Sequence, residues 1–432
     1  MAALAFSSLT DNRMQDMYRY DRQLLQHTIR VIHIKRDKDD EQFRCSFSFL
    51  SLHEKSVTYN ALSYVWGEQS NPSTIYVEGK PLRVTRNLHQ ALLQIRKSAY
   101  QAPLWVNAIC INQTDEAEKT AQVRLMKTIF GEADLVINWL GHELPTDLSG
   151  RELMRQVVKV LGKPEYDDIS QPEFELNAWG LPAFYTTEWV AVMHILSRPW
   201  FTRAWIIQEL LVAQRSIFLC GPVELERDLV LDFAGNVKKF PTLKNALGLY
   251  SHAPIDCDRP SWENSTMLCD LVTLYKTFEK RRLVELLRYT RSFSATDPRD
   301  KVFALVGLAD DISNDFIDYG NTESKVSFDV ASFLLTDDSA KLPNALDLLS
   351  YVEHRDKPSD LPSWVPDWRS CPHNYIPIID IIANKAVHAR PCFTVHQDKV
   401  VGSSHILTVH AYTKIIETDC LTWRRVSAFA DV

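Results

Sequence analysis

Paired cysteines are absent from this chain. Its eight cysteines stand alone, with no C-x-x-C and no Cys/His spacing of the zinc kind, so neither a disulfide framework nor a metal site is expected. His373, His388, His396, His405 and His410 are scattered without ligand spacing. Also missing are the G-x-x-x-x-G-K-[ST] phosphate loop, the G-x-G-x-x-G fingerprint and the G-x-S-x-G nucleophile elbow. No run reaches the roughly twenty apolar residues that a membrane helix needs. The start, Met1 to Ser8, lacks the basic residues and the apolar length of a signal peptide. Positive charge is in deficit: 48 Lys and Arg against 55 Asp and Glu give a net charge of −7. With no basic block to offset it, a nucleic-acid partner is not expected. What these absences leave is a soluble, cytoplasmic protein with reduced thiols and no membrane span.

What is there is ordinary globular material: 432 residues, 45% hydrophobic and 24% charged, enough for two or three domains. Residues 1–24 read as a polar leader. Ile29–Lys35 and Phe43–Leu50 alternate apolar and polar side chains like half-buried strands and could pair as a hairpin. Ala61 to Trp66 is a third strand, and 75–84 a second hairpin turning at Glu78-Gly79. A helical face runs through Leu88, Ala91, Leu92 and Ile95. Leu104 to Ile109 reads as a buried strand. A helix capped by Thr114 or Asp115 follows, to about Phe130, and then a strand over 135–140. Ser149-Gly-Arg-Glu152 fits a capping box opening a helix to Leu161. A long loop covers 163–182, helices are expected over about 184–196 and 205–213, and 216–220 is a last strand ended by Gly221-Pro222. This strand–helix alternation indicates an α/β domain over 25–225. Residues 226–432 read as mainly helical, with a short terminal β segment over about 393–418.

Three tryptophan-bearing segments stand out in the α/β part. In Ala61-Leu-Ser-Tyr-Val-Trp-Gly67 a strand ends in an aromatic residue and a glycine, and carboxyl ends of strands are where open α/β sheets hold ligands. Ser63 lies on that strand, Trp66 could offer a stacking face, and Gly67 would admit a ring or phosphate close to the backbone. The alternative is that Trp66 is core and Gly67 only turns the chain. In Leu104 to Gln113, Asn112 and Gln113 leave the strand and could hydrogen-bond a ligand, or simply fasten the loop. Cys110 has no histidine nearby in sequence and is a poor nucleophile candidate. In Arg198-Pro-Trp-Phe-Thr-Arg-Ala-Trp-Ile-Ile-Gln-Glu-Leu210, Trp205 and Glu209 are four apart and share a helix face. Glu209 could line a pocket, or it could serve the helix dipole or pair with Arg203.

In this order the three segments resemble the fungal heterokaryon incompatibility (HET) domain family. Ala295–Leu305 and Leu361–Trp368 resemble it as well, and structural roles are expected of both. Asn107 departs from the aspartate general in that family, so no carboxylate role transfers there. More remotely, residues 59–222 resemble TIR domains: Leu62–Gly67 looks like their opening strand, and Trp205-Ile-Ile-Gln-Glu-Leu210 looks like their W-C-x-x-E-L box, with Ile206 in place of cysteine. The resemblance implies a three-layer α/β sandwich with a mostly parallel central sheet, next to a largely helical C-terminal region. It implies a cell-death effector in non-self recognition, with an incompatibility partner protein still to be identified. It also implies NAD as substrate rather than cofactor, with Glu209 as the catalytic carboxylate and Ser63, Trp66, Gly67, Asn112 and Trp205 around the ligand. A carboxylate suits that chemistry, since the leaving nicotinamide is neutral and the positive charge developing on the ribose needs an anion beside it. The other expectation is a non-catalytic module that signals by self-association through the same domain.

Overall fold

The computed structural model describes residues 17–36, 42–54, 58–162, 176, 180–183, 186–240, 243–244, 247, 262–277, 280–336, 351–352, 360–362 and 364–369, together with the strand backbones of 392–397, 407–417 and 420–428. These residues fall into two compact units, divided within the chain so that 262–277 belongs with the first and the residues from Lys280 onward form the second.

The first unit is built on a nine-stranded sheet in the order β5-β4-β2-β1-β6-β3-β7-β8-β9. Its strands are β1 (Thr28–Ile34), β2 (Arg44–Ser51), β3 (Asn60–Tyr64), β4 (Ser73–Val77), β5 (Lys80–Val84), β6 (Leu104–Trp105), β7 (Leu135–Gly141), β8 (Ser216–Cys220) and β9 (Val223–Glu226). The expected hairpins form: β1 pairs antiparallel with β2, and β4 with β5. Glu78 and Gly79, at φ of 51° and 80°, join the second hairpin. Two left-handed residues in succession are the turn whose twist matches that of the strands. The sheet is mixed rather than mostly parallel. Its centre, β6-β3-β7-β8, is parallel, whereas β1–β6 and β8–β9 join the antiparallel way. Every residue of β3 is buried, and so is β7 up to Leu140, so other elements cover both faces of the sheet centre.

Helices α1 (Arg86–Lys97), α2 (Asn107–Cys110), α3 (Glu116–Arg124), α4 (Met126–Glu132), α5 (Asp147–Leu161), α6 (Thr187–Leu196), α7 (Trp205–Leu211), α8 (Arg227–Lys239) and α9 (Glu263–Thr277) complete this unit. Helix α1 buries Leu88, Ala91, Leu92 and Ile95, the face its periodicity predicts. Three expectations are corrected. The strand expected over 104–109 stops at Trp105, because the N–H groups of Ile109 and Cys110 turn back to the Val106 carbonyl at 3.0 and 2.7 Å and the Asn107 side chain accepts from the Ala108 N–H at 2.7 Å. No capping box opens α5: Asp147 takes the Leu144 N–H at 2.7 Å and the Ser149 hydroxyl donates to the Thr146 carbonyl at 2.7 Å. Beyond Gly221-Pro222 the chain continues as β9, which hairpins onto β8. The loop expected over 163–182 lies mostly outside the described residues.

One buried ion pair ties β1 to helix α3 and to the loop that leaves β6. Arg30, on β1 and 1% exposed, meets both carboxylate oxygens of Glu118 on α3 at 2.5 and 3.1 Å. It also donates to the carbonyls of Cys110 and Arg22 at 3.1 and 2.7 Å. Glu118 in turn accepts the Asn112 N–H at 2.7 Å, which fixes the loop leaving β6.

The second unit holds helices α10 (Leu283–Tyr289), α11 (Asp300–Val306) and α12 (Glu323–Thr336) and an antiparallel sheet of β10 (Cys392–Gln397), β11 (Leu407–Glu417) and β12 (Cys420–Ala428). Its two family-like segments are held by arginine. Arg299 grips both oxygens of Asp297 at 2.9 and 2.7 Å and reaches the Tyr319 and Asn321 carbonyls. Arg369 bonds Asp367 at 2.7 Å and Glu323 at 3.1 Å. These contacts are the work of a scaffold: the side chains are spent on fastening loops.

Candidate functional site

The carboxyl end of β3 is where the chemistry gathers. Strand β3 lies between β6 and β7, both parallel to it. The chain visits β6 on one side before crossing to β7 on the other, which is the switch point at which open α/β sheets form a crevice. Two clefts open there. One, of about 470 Å³, is lined by Glu68, Asn71, Arg86, Asn87, Gln90 and His142, on the β7 side. The other, of about 690 Å³, includes Tyr18, Tyr20, Tyr64, Trp66, Arg83 and Asn112 among its walls, on the β6 side. The loop from Trp66 to Pro72 contributes to both.

Below this strand end sits Glu209. It is 2% exposed, and one of its oxygens accepts the hydroxyl of Ser63. That same hydroxyl oxygen accepts the Trp200 indole N–H at 2.8 Å, so the donor order runs from Trp200 to Ser63 to Glu209. Arg203 approaches the same carboxylate oxygen only to 3.6 Å, and its buried Nη1 has no hydrogen-bond partner. Burial raises the Glu209 pKa above the usual carboxylate range. Arg203 and the Ser63 hydrogen bond oppose that shift without cancelling it. Taking a carboxylate out of water costs more than one long ion contact and one hydroxyl return. Tyr64 next to Ser63 is 2% exposed and borders the aromatic cleft. Its phenol pKa is raised by burial, and it lies within electrostatic reach of both Arg203 and Glu209.

The six residues expected from the sequence divide into groups. Ser63 and Glu209 meet, though 146 positions apart. Trp66 and Asn112 meet as walls of the aromatic cleft. Gly67, with φ of 73°, makes the turn out of β3; a Cβ there would stand 3.4 Å from the Asn87 Cβ. Trp205 is half-buried and, like Glu209, lines neither of these two clefts. The thiol of Cys110 is fully buried and pushed up to about 12, which keeps it protonated and inert at neutral pH.

The sequence reading passed over Trp200, Tyr18, Tyr20 and Arg198. Trp200 lay inside the third motif, and its signal was a second tryptophan five residues from Trp205. Tyr18 and Tyr20 lay in the presumed leader; they are held by Tyr18 N–H to the Pro81 carbonyl at 2.8 Å and by the Tyr20 hydroxyl to the Ile109 carbonyl at 2.8 Å. Arg198 binds the His142 carbonyl and the fully buried Asp147, each at 2.8 Å, and so sets the loop that leaves β7.

Comparison with known proteins gives the family context. Residues 59–209 match the family described as heterokaryon incompatibility protein (HET). Over 371 aligned residues, covering 72% of this chain, the sequence is 29% identical to "Heterokaryon incompatibility protein 6, OR allele" of Neurospora crassa. The alignment takes in 53% of that relative, so the chain spans about half the length of the curated relative it matches. No solved structure matches it.

Proposed function

We propose that this chain, whose residues 59–209 match the heterokaryon incompatibility (HET) family, acts in fungal non-self recognition, together with an incompatibility partner protein, and contributes the step that kills the cell. The name of the Neurospora relative supports the role. The finer reading is a TIR-like domain that cleaves NAD at Glu209. One observation carries it: a carboxyl group 2% exposed, incompletely paired and raised in pKa, bonded to Ser63 just before the end of the central strand. Buried, imperfectly compensated carboxyls of this kind cluster at catalytic sites. Ionised, Glu209 would face the positive charge that grows on the ribose as nicotinamide leaves. Tyr64 both lines the aromatic cleft and lies within electrostatic reach of Glu209, so on this reading the substrate reaches the carboxyl group by way of that side chain.

Glu209→Gln tests this, because glutamine keeps the shape and still accepts from Ser63. Nicotinamide release from NAD by the purified chain, and death of cells expressing it, should both be lost. Unchanged release sinks the catalytic reading. A second reading, self-association without catalysis, is favoured by the enclosure of Glu209 and by the exposed pair Leu144 and Leu148, at 36% and 54%. Under it, killing survives Glu209→Gln and fails with Leu148→Glu, and sedimentation shows the latter variant losing its oligomer.

A further inference from the structure

The aromatic cleft beside β3 has a composition at odds with the rest of the molecule. The chain carries more acid than base, yet this cleft is lined by Arg19 and Arg83 and by no Asp or Glu among the described residues. Both arginines are exposed, and neither guanidinium group has an ion pair or hydrogen bond among the described residues. Two other arginines of this unit, by contrast, are committed, Arg30 to Glu118 and Arg198 to Asp147. Two uncommitted guanidinium groups on the rim of one cleft make a site for a divalent anionic group such as phosphate.

The walls are aromatic. The half-buried Trp66, Tyr18 on the segment before β1 and the buried Tyr64 all line the cleft. Tyr18 is braced edge-on by Tyr20 at 5.2 Å between ring centroids, so this wall is pre-set rather than loose. Asn112 lines the same cleft, and its side-chain oxygen accepts the Thr114 hydroxyl at 2.8 Å. Its amide N–H groups are left to meet the edge of a planar heterocycle. At about 690 Å³ the cleft falls within the usual size of small-molecule sites, about 300–1,000 Å³. We propose that this cleft binds a nucleotide, its base between Trp66 and Tyr18 and its phosphate on Arg19 and Arg83.

The site is separate from the Glu209 carboxyl group, which does not line it. The inference deepens the reading of the domain as NAD-cleaving by naming where a nucleotide docks, and it stands without the cleavage step. The test is calorimetric titration of the full chain with adenosine monophosphate, adenosine and inorganic phosphate, using wild type, Trp66→Ala, the double variant Arg19→Ser with Arg83→Ser, and Glu209→Gln. Adenosine monophosphate should bind more tightly than adenosine or phosphate. Trp66→Ala should weaken it about tenfold through the lost stacking face. The double arginine variant touches only exposed, unpaired side chains, so it folds normally and should also weaken binding about tenfold, with most of the salt dependence gone. Glu209→Gln should bind like wild type while losing any NAD cleavage, which separates failure of this inference from failure of the catalytic reading. No binding of adenosine monophosphate, binding equalled by phosphate alone, or binding indifferent to both sets of cleft substitutions overturns the proposal.

Discussion

Two buried arginine–glutamate pairs sit in the same unit and are built to different standards. Arg30 and Glu118 are joined through both oxygens, and the arginine also feeds two carbonyls. Arg203 and Glu209 touch once, at 3.6 Å, with a guanidinium nitrogen left unbonded and the carboxylate shared with a hydroxyl. A pair that returns its desolvation cost through full hydrogen bonding is architecture. A pair that leaves the cost standing, near the carboxyl end of the parallel centre of the sheet, keeps a carboxyl group whose pKa burial has raised.

The sharpest way to break the contrast is Arg30→Ala. It strands a nearly buried Glu118 and two carbonyls, and should destabilise the first unit by about 3–5 kcal/mol, measured by denaturant unfolding. A loss no larger than that of Arg203→Ala would erase the distinction. Ser63→Ala comes next. It orphans the Trp200 N–H and removes one of the bonds opposing the raised Glu209 pKa, costing about 1–3 kcal/mol. The effect of Glu209→Gln is smaller and depends on pH. A carboxyl group whose folded pKa lies above its unfolded value holds more protons when folded. Its contribution is therefore full below the ordinary carboxylate range and fades as pH rises toward the raised native value. Wild type should lose stability across that window while the glutamine variant stays flat, so melting curves of the two draw apart as pH rises. Parallel curves would overturn the raised pKa of Glu209.

Much of the fold was legible because its signals are local. Alternation placed the two hairpins, Glu78-Gly79 marked the turn between β4 and β5, and the apolar stripe of α1 gave its buried face. Leu104 to Ile109 misled because an apolar run does not distinguish a strand from a buried helical turn, and the Val106 carbonyl decided for the turn. The antiparallel joins at β1–β6 and β8–β9 depend on which distant strands meet, which no periodicity reports. For the site, Glu209 and Ser63 were readable as motif residues, but their contact spans 146 positions. The burial of Glu209 could not be read from its spacing to Trp205. Tyr18 and Tyr20 were invisible because a short polar stretch carries no sign that it will be folded back as a wall.

Strand β6 is two residues long, and this brevity shapes the whole sheet. Leu104 alone registers with β1, through Ile32, and only Leu104 and Trp105 register with β3. The sheet thus has a waist, with the leaf of β5, β4, β2 and β1 on one side and the leaf of β3, β7, β8 and β9 on the other. A waist this narrow holds the leaves together by few backbone bonds, and the Arg30–Glu118 pair fastens β1 to helix α3, which follows β6 in the chain. The aromatic cleft spans the same line, drawing Leu82 and Arg83 from one leaf and Tyr64 and Trp66 from the other. Anything gripped there holds both leaves at once, so occupancy would register as a stiffer sheet, with slower amide exchange on both sides of β6.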